Sequence, residues 1–196
     1  MQKQYGENGS IYIFKPKVIK QNMNRLGGKI GIYIMNEWKI HEIDTKEDIG
    51  ICEYFMNKKV LITGGTGSFG SAFVPMTLEK YNPRRLVIFS RDEMKQWEMA
   101  KLYKNDNRVR FLTGDIRDKE RVYRALDGID YVVHAATTKI VPTAEYDPFE
   151  CVKTNVVGAM NLIDACIDKG VKSIVALSTD KASSPSNLYG ATKLTS

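Results

Sequence analysis

The glycine string Thr63-Gly-Gly-Thr-Gly-Ser-Phe-Gly70 constrains the fold of this chain more than any other feature. It directly follows the β-branched apolar run Lys59–Thr63 and opens a helix-like stretch. In a strand–turn–helix unit, Gly64 permits the tight turn, Gly67 lets backbone N–H groups approach a pyrophosphate, and Gly70 lets helix and strand pack closely. A glycine string alone is weak evidence, but this position predicts a dinucleotide-binding unit.

Residues 57–196 alternate between strand-like apolar runs and helix-like stretches throughout. After the first strand, further strands are predicted at 85–90, 109–113, 131–135 and 173–178. A long helix is predicted from about Pro148 to Lys169, with Gly170 as its C-terminal stop. This alternation implies right-handed βαβ crossovers and therefore an α/β fold with a Rossmann-type, doubly wound parallel sheet.

Residues 1–56 differ in pattern and predict a small α/β fragment that precedes the Rossmann domain of residues 57–196. Such a fragment is too small to bury a full core alone. The stretch from Tyr189 to Ser196 resembles the opening of a helix. We therefore expect a sheet truncated after its fifth strand, and little or no catalytic activity from this chain by itself.

Composition narrows the class of protein. With 43% apolar and 27% charged residues, the chain resembles a soluble globular protein, and it has no apolar run near the roughly 18 residues needed to span a bilayer. The N-terminus lacks a secretory signal, so we expect a cytoplasmic enzyme that contacts no membrane. Three cysteines and two histidines predict neither a disulfide framework nor a His-rich metal site.

The net charge of +6 is scattered and mixed with acidic residues. Since no basic block interleaved with aromatic residues is present, an anionic small molecule such as a nucleotide fits better than nucleic acid.

The end of the second strand predicts which dinucleotide binds. The cofactor ribose is expected about 20 residues after the glycines, where Ser90-Arg-Asp-Glu93 and Lys95 stand. Arg91 and Lys95 suit a 2′-phosphate and favour NADP, whereas Asp92 could accept a hydrogen bond from the free 2′-hydroxyl of NAD. Asp115, after the third strand, is placed to hold the adenine edge.

Two candidate catalytic groups follow the fifth strand. Tyr189 and Lys193 lie at i and i+4 and so share one helical face, where an ammonium can favour the tyrosinate. Asp180 and Lys181 stand at the carboxyl end of the strand, where open α/β sheets bind substrate. An ordinary surface ion pair is the alternative interpretation of Asp180 and Lys181.

Seven strings together carry a family resemblance. They are Thr63–Gly70, Ser90–Glu93, Gly114–Asp118, His134–Ala136 with Lys139, Ala144–Phe149, Leu177–Ala182 and Asn187–Lys193. With them, residues 57–196 resemble the inverting UDP-N-acetylglucosamine 4,6-dehydratases. These are lyases of the extended short-chain dehydrogenase/reductase superfamily that act in surface polysaccharide and nonulosonic acid biosynthesis. Thr137 and Asp147 depart from the family pattern, which has alanine and asparagine there.

The resemblance implies a role for each candidate catalytic residue. Thr179 would bind the sugar 4-hydroxyl, and Tyr189 would accept its proton. Lys181 would remove the C5 proton, and Asp180 would protonate the departing 6-hydroxyl. Lys193 would hold the nicotinamide ribose and tune Tyr189.

The glycine motif and the resemblance together give the expected ligand contacts. The substrate, a UDP-sugar, is expected to meet Lys139. The cofactor, NADP with NAD as the alternative, is expected to contact Gly64, Gly67, Ser68, Phe69, Gly70, Ser90, Arg91, Lys95, Asp115, Ile116, Ala135, Ala136 and Lys193.

Residues 1–56 resemble the C-terminal tail of acylneuraminate (CMP-sugar) cytidylyltransferases, which suggests a fusion. Glu42 and Asp44 match residues that help hold magnesium in that family. We expect no metal site in this chain and regard both as vestigial candidates within a surface acidic loop.

Three alternatives to a dehydratase stay open at this point. They are a nucleotide-sugar 4-epimerase, a cytidylyltransferase fusion fragment, and a fragment that binds dinucleotide without catalysis. The pair Asp180 and Lys181 favours elimination, because a simple epimerase needs no base at C5. We expect the complete enzyme to be a homo-oligomer.

Overall fold

The computed structural model describes residues 57–196, in which strands and helices alternate. The predicted fragment 1–56, with Glu42 and Asp44, lies outside the described residues. The strands are β1 Lys59–Thr63, β2 Arg85–Ser90, β3 Val109–Thr113, β4 Tyr131–His134 and β5 Ser173–Ala176. The helices are α1 Ser68–Lys80, α2 Glu93–Leu102, α3 Lys119–Ala125, α4 Val141–Tyr146, α5 Pro148–Val152, α6 Gly158–Asp168 and α7 Leu188–Thr195.

The five strands form one parallel sheet in the order β3-β2-β1-β4-β5. This order confirms the predicted Rossmann-type α/β fold. Strands β2 and β3 extend the sheet on one side of β1, and β4 and β5 extend it on the other side, so the strand order reverses between β1 and β4. Open sheets bind ligands at this reversal, outside the carboxyl ends of the strands.

Helices cover both faces of the sheet, as the predominantly apolar strands require. Successive residues of β1 point to opposite faces, so Val60 and Ile62 pack on one side and Leu61 on the other. The first side is covered by α1 and α2, through Val74, Leu78 and Met99. The second is covered by α3 and α6, through Val122, Ala125, Leu162, Ala165 and Cys166.

The predicted long helix ends where the sequence indicates. Gly170 takes a left-handed φ of 67°. Its N–H donates to the carbonyl of Ile167, and the N–H of Val171 donates to the carbonyl of Cys166. These two bonds form the Schellman arrangement that glycine favours after a helix.

The long helix is not regular, which the sequence did not indicate. Five residues, Lys153–Val157, form a π-helical turn between α5 and α6. Such turns insert an extra residue into an α-helix and occur often at functional sites.

Other differences from the prediction are small. The short helix α4 was not predicted, and β4 and β5 end at His134 and Ala176, before the predicted ends. Within residues 57–196, no helix combines the length and the apolar character needed to cross a bilayer.

Candidate functional site

A cleft of about 420 Å³ opens at the carboxyl ends of the strands, where the order of the sheet reverses. Most of the predicted ligand contacts line it: Gly64, Gly67, Ser68, Phe69, Ser90, Arg91, Lys95, Asp115, Ile116, Ala135, Ala136, Lys139, Tyr189 and Lys193. Of the predicted site residues within 57–196, four do not line it: Gly70, Thr179, Asp180 and Lys181. Further lining residues are Thr66, Phe89, Asp92, Gly114, His134, Thr137, Thr154, Leu177 and Ser178.

The glycine turn lies against the loop that follows β4. Gly64 has a φ of +66°, and a Cβ there would lie 2.8 Å from the backbone of Ala136. A Cβ on Gly70 would lie 2.0 Å from the carbonyl oxygen of Gly65. Gly70 therefore packs helix α1 onto the turn, and both positions require glycine for close approach.

The N-terminus of α1 faces the cleft and suits an anion. Ser68 and Phe69 begin this helix and line the cleft, and no side chain caps the helix at Gly67. The first N–H groups of a helix lack intrahelical partners and carry a partial positive charge. A pyrophosphate at this end would satisfy them, so the residues present fit a dinucleotide.

The hydroxyl of Thr63 joins the ends of β1 and β4. Its Oγ1 accepts from the amides of Ala135 and Ala136, both at 3.2 Å. It lies 2.7 Å from Nδ1 of His134. Because two N–H groups already donate to this oxygen, its proton goes to Nδ1. That bond requires a neutral imidazole with its proton on Nε2.

His134 is buried at the cleft and stays neutral. Burial lowers its pKa to about 4, and the nearby charge of Lys193 adds to the effect. Burial also lowers the pKa of Lys193 itself. The floor of the cleft beside α7 therefore combines a neutral ring with a partly desolvated ammonium.

At the end of β2, two cations stand where a ribose 2′-substituent is expected. Nη1 of Arg91 lies 3.9 Å from Asp115, and Nζ of Lys95 lies 3.5 Å from Asp92. Asp92 caps α2, since its side chain accepts from the N–H of Lys95. Mainly through that bond, the pKa of Asp92 is lowered. This carboxylate, the candidate NAD contact, thus already has a structural partner.

Helix α7 presents the Tyr-x-x-x-Lys pair on its buried side. Tyr189 and Lys193 are each 9% exposed, and both line the cleft. Asn187 begins the helix, its side chain accepting from the N–H of Gly190 at 2.8 Å. A Cβ on Gly190 would lie 2.1 Å from the carbonyl oxygen of Lys181. Glycine here lets the turn after β5 pack directly on α7.

That turn holds the other three predicted catalytic residues, outside the cleft lining. The Thr179 hydroxyl donates to Oδ1 of Asp180 at 2.9 Å, and Nζ of Lys181 lies 3.8 Å from the same atom. The side chains of Asp180 and Lys181 are 70% and 50% exposed. The bond from Thr179 is the largest cause that lowers the pKa of Asp180, so the carboxylate form is favoured.

Asn155, in the π-helical turn, connects α7 to the β4 loop. Its Oδ1 accepts from the N–H of Thr138 at 2.8 Å and from the hydroxyl of Thr137 at 3.0 Å. Its Nδ2 donates to the Thr138 carbonyl and, at 2.9 Å, to the hydroxyl of Thr192. Thr192 in turn donates to the carbonyl of Tyr189. Thr137, which departs from the family pattern, therefore adds a hydrogen bond to this network.

The sequence reasoning missed the roles of Thr63, His134 and Asn155. Asn155 carried no signal of its own, because other polar residues such as Thr154 and Asn161 stand in the same helix. Nothing local distinguishes the Thr63 hydroxyl, whose partners lie more than 70 residues away. Among residues 57–196, no group of three or more acidic, His or Cys side chains is arranged to hold a metal ion.

Comparison with known proteins gives one matching family and several relatives. The family described as polysaccharide biosynthesis protein matches residues 60–196. An inverting UDP-N-acetylglucosamine 4,6-dehydratase of Campylobacter jejuni is 56% identical over 142 residues, which are 72% of this chain and 42% of the relative. A UDP-glucose 4-epimerase of Rickettsia prowazekii is 43% identical over 142 residues, which are 71% of this chain and 41% of the relative.

Among solved structures, DesIV of Streptomyces venezuelae is similar to this chain. It is a dTDP-glucose 4,6-dehydratase with NAD and TYD bound, 29% identical, with a TM-score of 0.63. The match covers 70% of this chain and 48% of DesIV. This chain spans less than half the length of these relatives. The family match begins at residue 60, so the cytidylyltransferase resemblance of residues 1–56 stays a prediction.

We predict that His134 remains neutral until the pH approaches about 4. The unfolded chain takes up this proton near pH 6.5, so the protein should lose stability as the pH falls from about 6.5 to about 4, by up to about 3 kcal/mol. NMR titration of the two histidines tests the pKa, with His41→Gln to assign the resonances.

Urea unfolding at several pH values tests the predicted dependence of stability on the protonation of His134. His134→Asn keeps an acceptor for Thr63 but cannot be protonated, so its pH dependence over this range should be flatter. A ring that titrates near 6.5 in the folded protein would contradict the assignment.

Proposed function

Because this chain belongs to the polysaccharide biosynthesis protein family, we propose that residues 57–196 are the cofactor-binding part of a nucleotide-sugar 4,6-dehydratase. This lyase would act on UDP-N-acetylglucosamine, with inversion at C5, in surface polysaccharide or nonulosonic acid biosynthesis. One observation carries the proposal: the turn with Asp180 and Lys181 packs on the helix that presents Tyr189 and Lys193 to the cleft. The activity is proposed for the complete enzyme, since the relatives are more than twice as long as the matched segment.

The cofactor we propose is NADP. The uncapped start of α1 would hold the pyrophosphate, and Arg91 and Lys95 would meet the 2′-phosphate. Asp92, the contact that would favour NAD, caps α2 through Oδ1, and its Oδ2 lies 3.5 Å from the Lys95 ammonium. Lys193 would hold the nicotinamide ribose. When bound, the nicotinamide would supply the hydride acceptor for C4 of the sugar and the donor for C6.

The first step removes the proton of the sugar 4-hydroxyl. Tyr189, buried on the cleft side of α7, is the proposed base, and Lys193 lies on the same helical face. Thr179 would bind the 4-hydroxyl. Asn155 supports this arrangement through Thr192, which bonds the carbonyl of Tyr189.

The second step eliminates water across C5 and C6. The C4 ketone acidifies the C5 proton, which Lys181 removes, and the 6-hydroxyl leaves as water with a proton from Asp180. Return of the hydride to C6 and uptake of a solvent proton at C5, on the opposite face, would then give the inverted product. In the described structure Asp180 favours its carboxylate form and is exposed. Its role as an acid therefore requires that bound substrate bury it, which raises a carboxyl pKa.

A 4-epimerase is the second candidate, because the Rickettsia prowazekii relative carries that activity in its name and matches a segment of the same length. The two reactions share the oxidation at C4. They differ at C5, where only the dehydratase breaks a C–H bond. Exchange at C5 therefore distinguishes them.

We also propose a homo-oligomer for the complete enzyme. The outer face of the long helix exposes the apolar side chains Phe149, Met160, Ile163 and Ile167. Exposed apolar strips of this kind are typical of interfaces. We place the enzyme in the cytoplasm, where the buried free thiols Cys151 and Cys166 stay reduced.

The oligomer can be tested by sedimentation of the chain. We expect Ile163→Asp to dissociate it to monomers, because a charge at the centre of an apolar interface is strongly unfavourable. Leu102→Asp, the same kind of change at an exposed apolar residue of helix α2, is the matched control. A wild-type chain that sediments as a monomer at high concentration would contradict the assignment of this face.

NADP should bind the chain about tenfold or more tightly than NAD, as expected for charge-assisted bonds to the 2′-phosphate. Arg91→Ala should remove most of that preference without changing the affinity for NAD. Arg84→Ala removes an exposed arginine before β2, at the opposite end of the strand, and should change neither affinity. Calorimetric titration with both dinucleotides decides, and equal affinities for the wild type would refute the NADP assignment.

The chemistry can be tested in a chimaera of full length. Residues of this chain would replace the 142 aligned residues of the Campylobacter jejuni enzyme. Incubated with UDP-N-acetylglucosamine in D₂O, the chimaera should place deuterium at C5 with inversion and yield the 4-keto product. Lys181→Met should lower turnover by about 10²–10⁴-fold, the usual contribution of a general base, while dinucleotide binding survives.

Lys172→Met, a change on the surface before β5, is the control for the loss of a lysine. Dehydration by Lys181→Met at the unmodified rate would show that the base lies elsewhere. A chimaera that inverts C4 without exchange at C5 would favour the epimerase.

A further inference from the structure

A fixed arginine holds the carboxylate that the sequence places at the adenine edge. Asp115 lines the cleft after β3, and Arg117 follows two residues later. Oδ1 of Asp115 accepts from the backbone N–H of Arg117 at 3.0 Å. Oδ2 accepts from Nε at 3.0 Å and from Nη2 at 2.6 Å. Two bonds from the guanidinium to one oxygen and one bond from the backbone to the other therefore fix the orientation of the carboxylate.

The other side of the same guanidinium is fixed as well. Nη1 of Arg117 donates to Oε2 of Glu150 in α5. Oε1 of Glu150 accepts from Nζ of Lys153 at 2.9 Å. Arg117 is thus held between the β3 loop and the start of the long helix, so it cannot rotate away without breaking bonds on both sides.

The charges keep Asp115 in its acceptor form. Burial raises the pKa of its carboxyl, but the hydrogen bonds and charge of Arg117 outweigh burial, and Arg91 adds to them, so the net effect is a lowered pKa. An ionised carboxylate only accepts hydrogen bonds, at about four lone-pair positions.

Counting those positions shows what Asp115 can still bind. Oδ2 has two donors from Arg117, and Oδ1 has one. Arg91 lies 3.9 Å from Oδ2, an ion-pair distance beyond that of a hydrogen bond. The remaining position on Oδ1 suits one N–H group of a ligand. It would repel a carbonyl oxygen in the same place.

We propose that Arg117 is a positioning residue that makes the site selective for a purine with a 6-amino group. The arginine orients Asp115 so that its free acceptor position meets the amino group, and Glu150 holds the arginine in place. The inference rests on the proposed dinucleotide site. It adds a residue that touches no cofactor atom but determines which base the cleft accepts.

A purely structural role for Arg117 makes a different prediction. If the arginine only fastens the β3 loop to α5, its loss weakens every dinucleotide equally. If it orients Asp115, its loss weakens the adenine dinucleotide and spares an analogue that lacks the amino group. The ratio of the affinity for the adenine dinucleotide to the affinity for this analogue therefore distinguishes a structural role of Arg117 from a positioning role.

The test uses the full chain and two probes. The probes are whichever of NADP and NAD binds more tightly, and its hypoxanthine analogue, in which oxygen replaces the 6-amino group. The wild type should prefer the adenine form by about tenfold or more, the size of one charge-assisted hydrogen bond. Arg117→Met and Asp115→Asn should each bring the ratio close to one. Arg124→Met, the loss of an exposed arginine in α3, should leave it unchanged.

Each possible result of this binding experiment either supports the inference or overturns it. If the wild type binds the adenine and hypoxanthine probes equally well, the inference is overturned while the dinucleotide site stands. The same holds if Arg117→Met weakens the binding of both probes but leaves the ratio of their affinities unchanged. If Arg117→Met does not fold, Arg117→Lys keeps the charge without the fork, and an intact ratio there also overturns the inference. A chain that binds neither probe refutes the proposed function and this inference together.

Discussion

The hydroxyl of Thr63 determines how the two halves of the sheet meet at the cleft. It accepts hydrogen bonds from the amides of Ala135 and Ala136 in the β4 loop and donates one to His134. One side chain therefore fixes both this loop and the imidazole ring. Gly64 can then lie against Ala136, where no Cβ fits. This contact lies at the reversal of strand order, so the loop that leads from β4 into the cleft starts from a fixed position.

The fold followed largely from local patterns. Apolar runs predicted β2 and β3 with the ends that the structure shows. Strand β2 is apolar from Leu86 to Phe89 because both of its faces are covered, whereas β3 at the edge of the sheet carries the exposed Arg110. Gly170 predicted the helix end, since a left-handed residue is needed there. The glycine motif predicted the cleft. Helix α4 was missed because it is short and its start lacks a side-chain cap.

The rest of the site could not be predicted because its parts are distant in sequence. The bond between Asn155 and Thr192 joins two helices, and that of Arg117 with Glu150 joins a loop to a helix. Composition also gave no indication that Tyr189 and Lys193 would be buried while Asp180 and Lys181 stay exposed. Burial of this kind is a property of packing. The resemblance supplied the candidate roles, and the structure supplied their surroundings.

The π-helical turn Lys153–Val157 places Asn155 against the β4 loop, while the helix beyond it keeps Leu162 in the core. Because such a turn holds one residue more than a regular α-helix, removing one residue there would convert it to α-helix without displacing the segments on either side. The residue that would move is Asn155, and its bonds to the β4 loop would be lost. The extra residue therefore serves the cleft and not the core, so a homologous chain without it would keep the fold but need another way to hold the β4 loop.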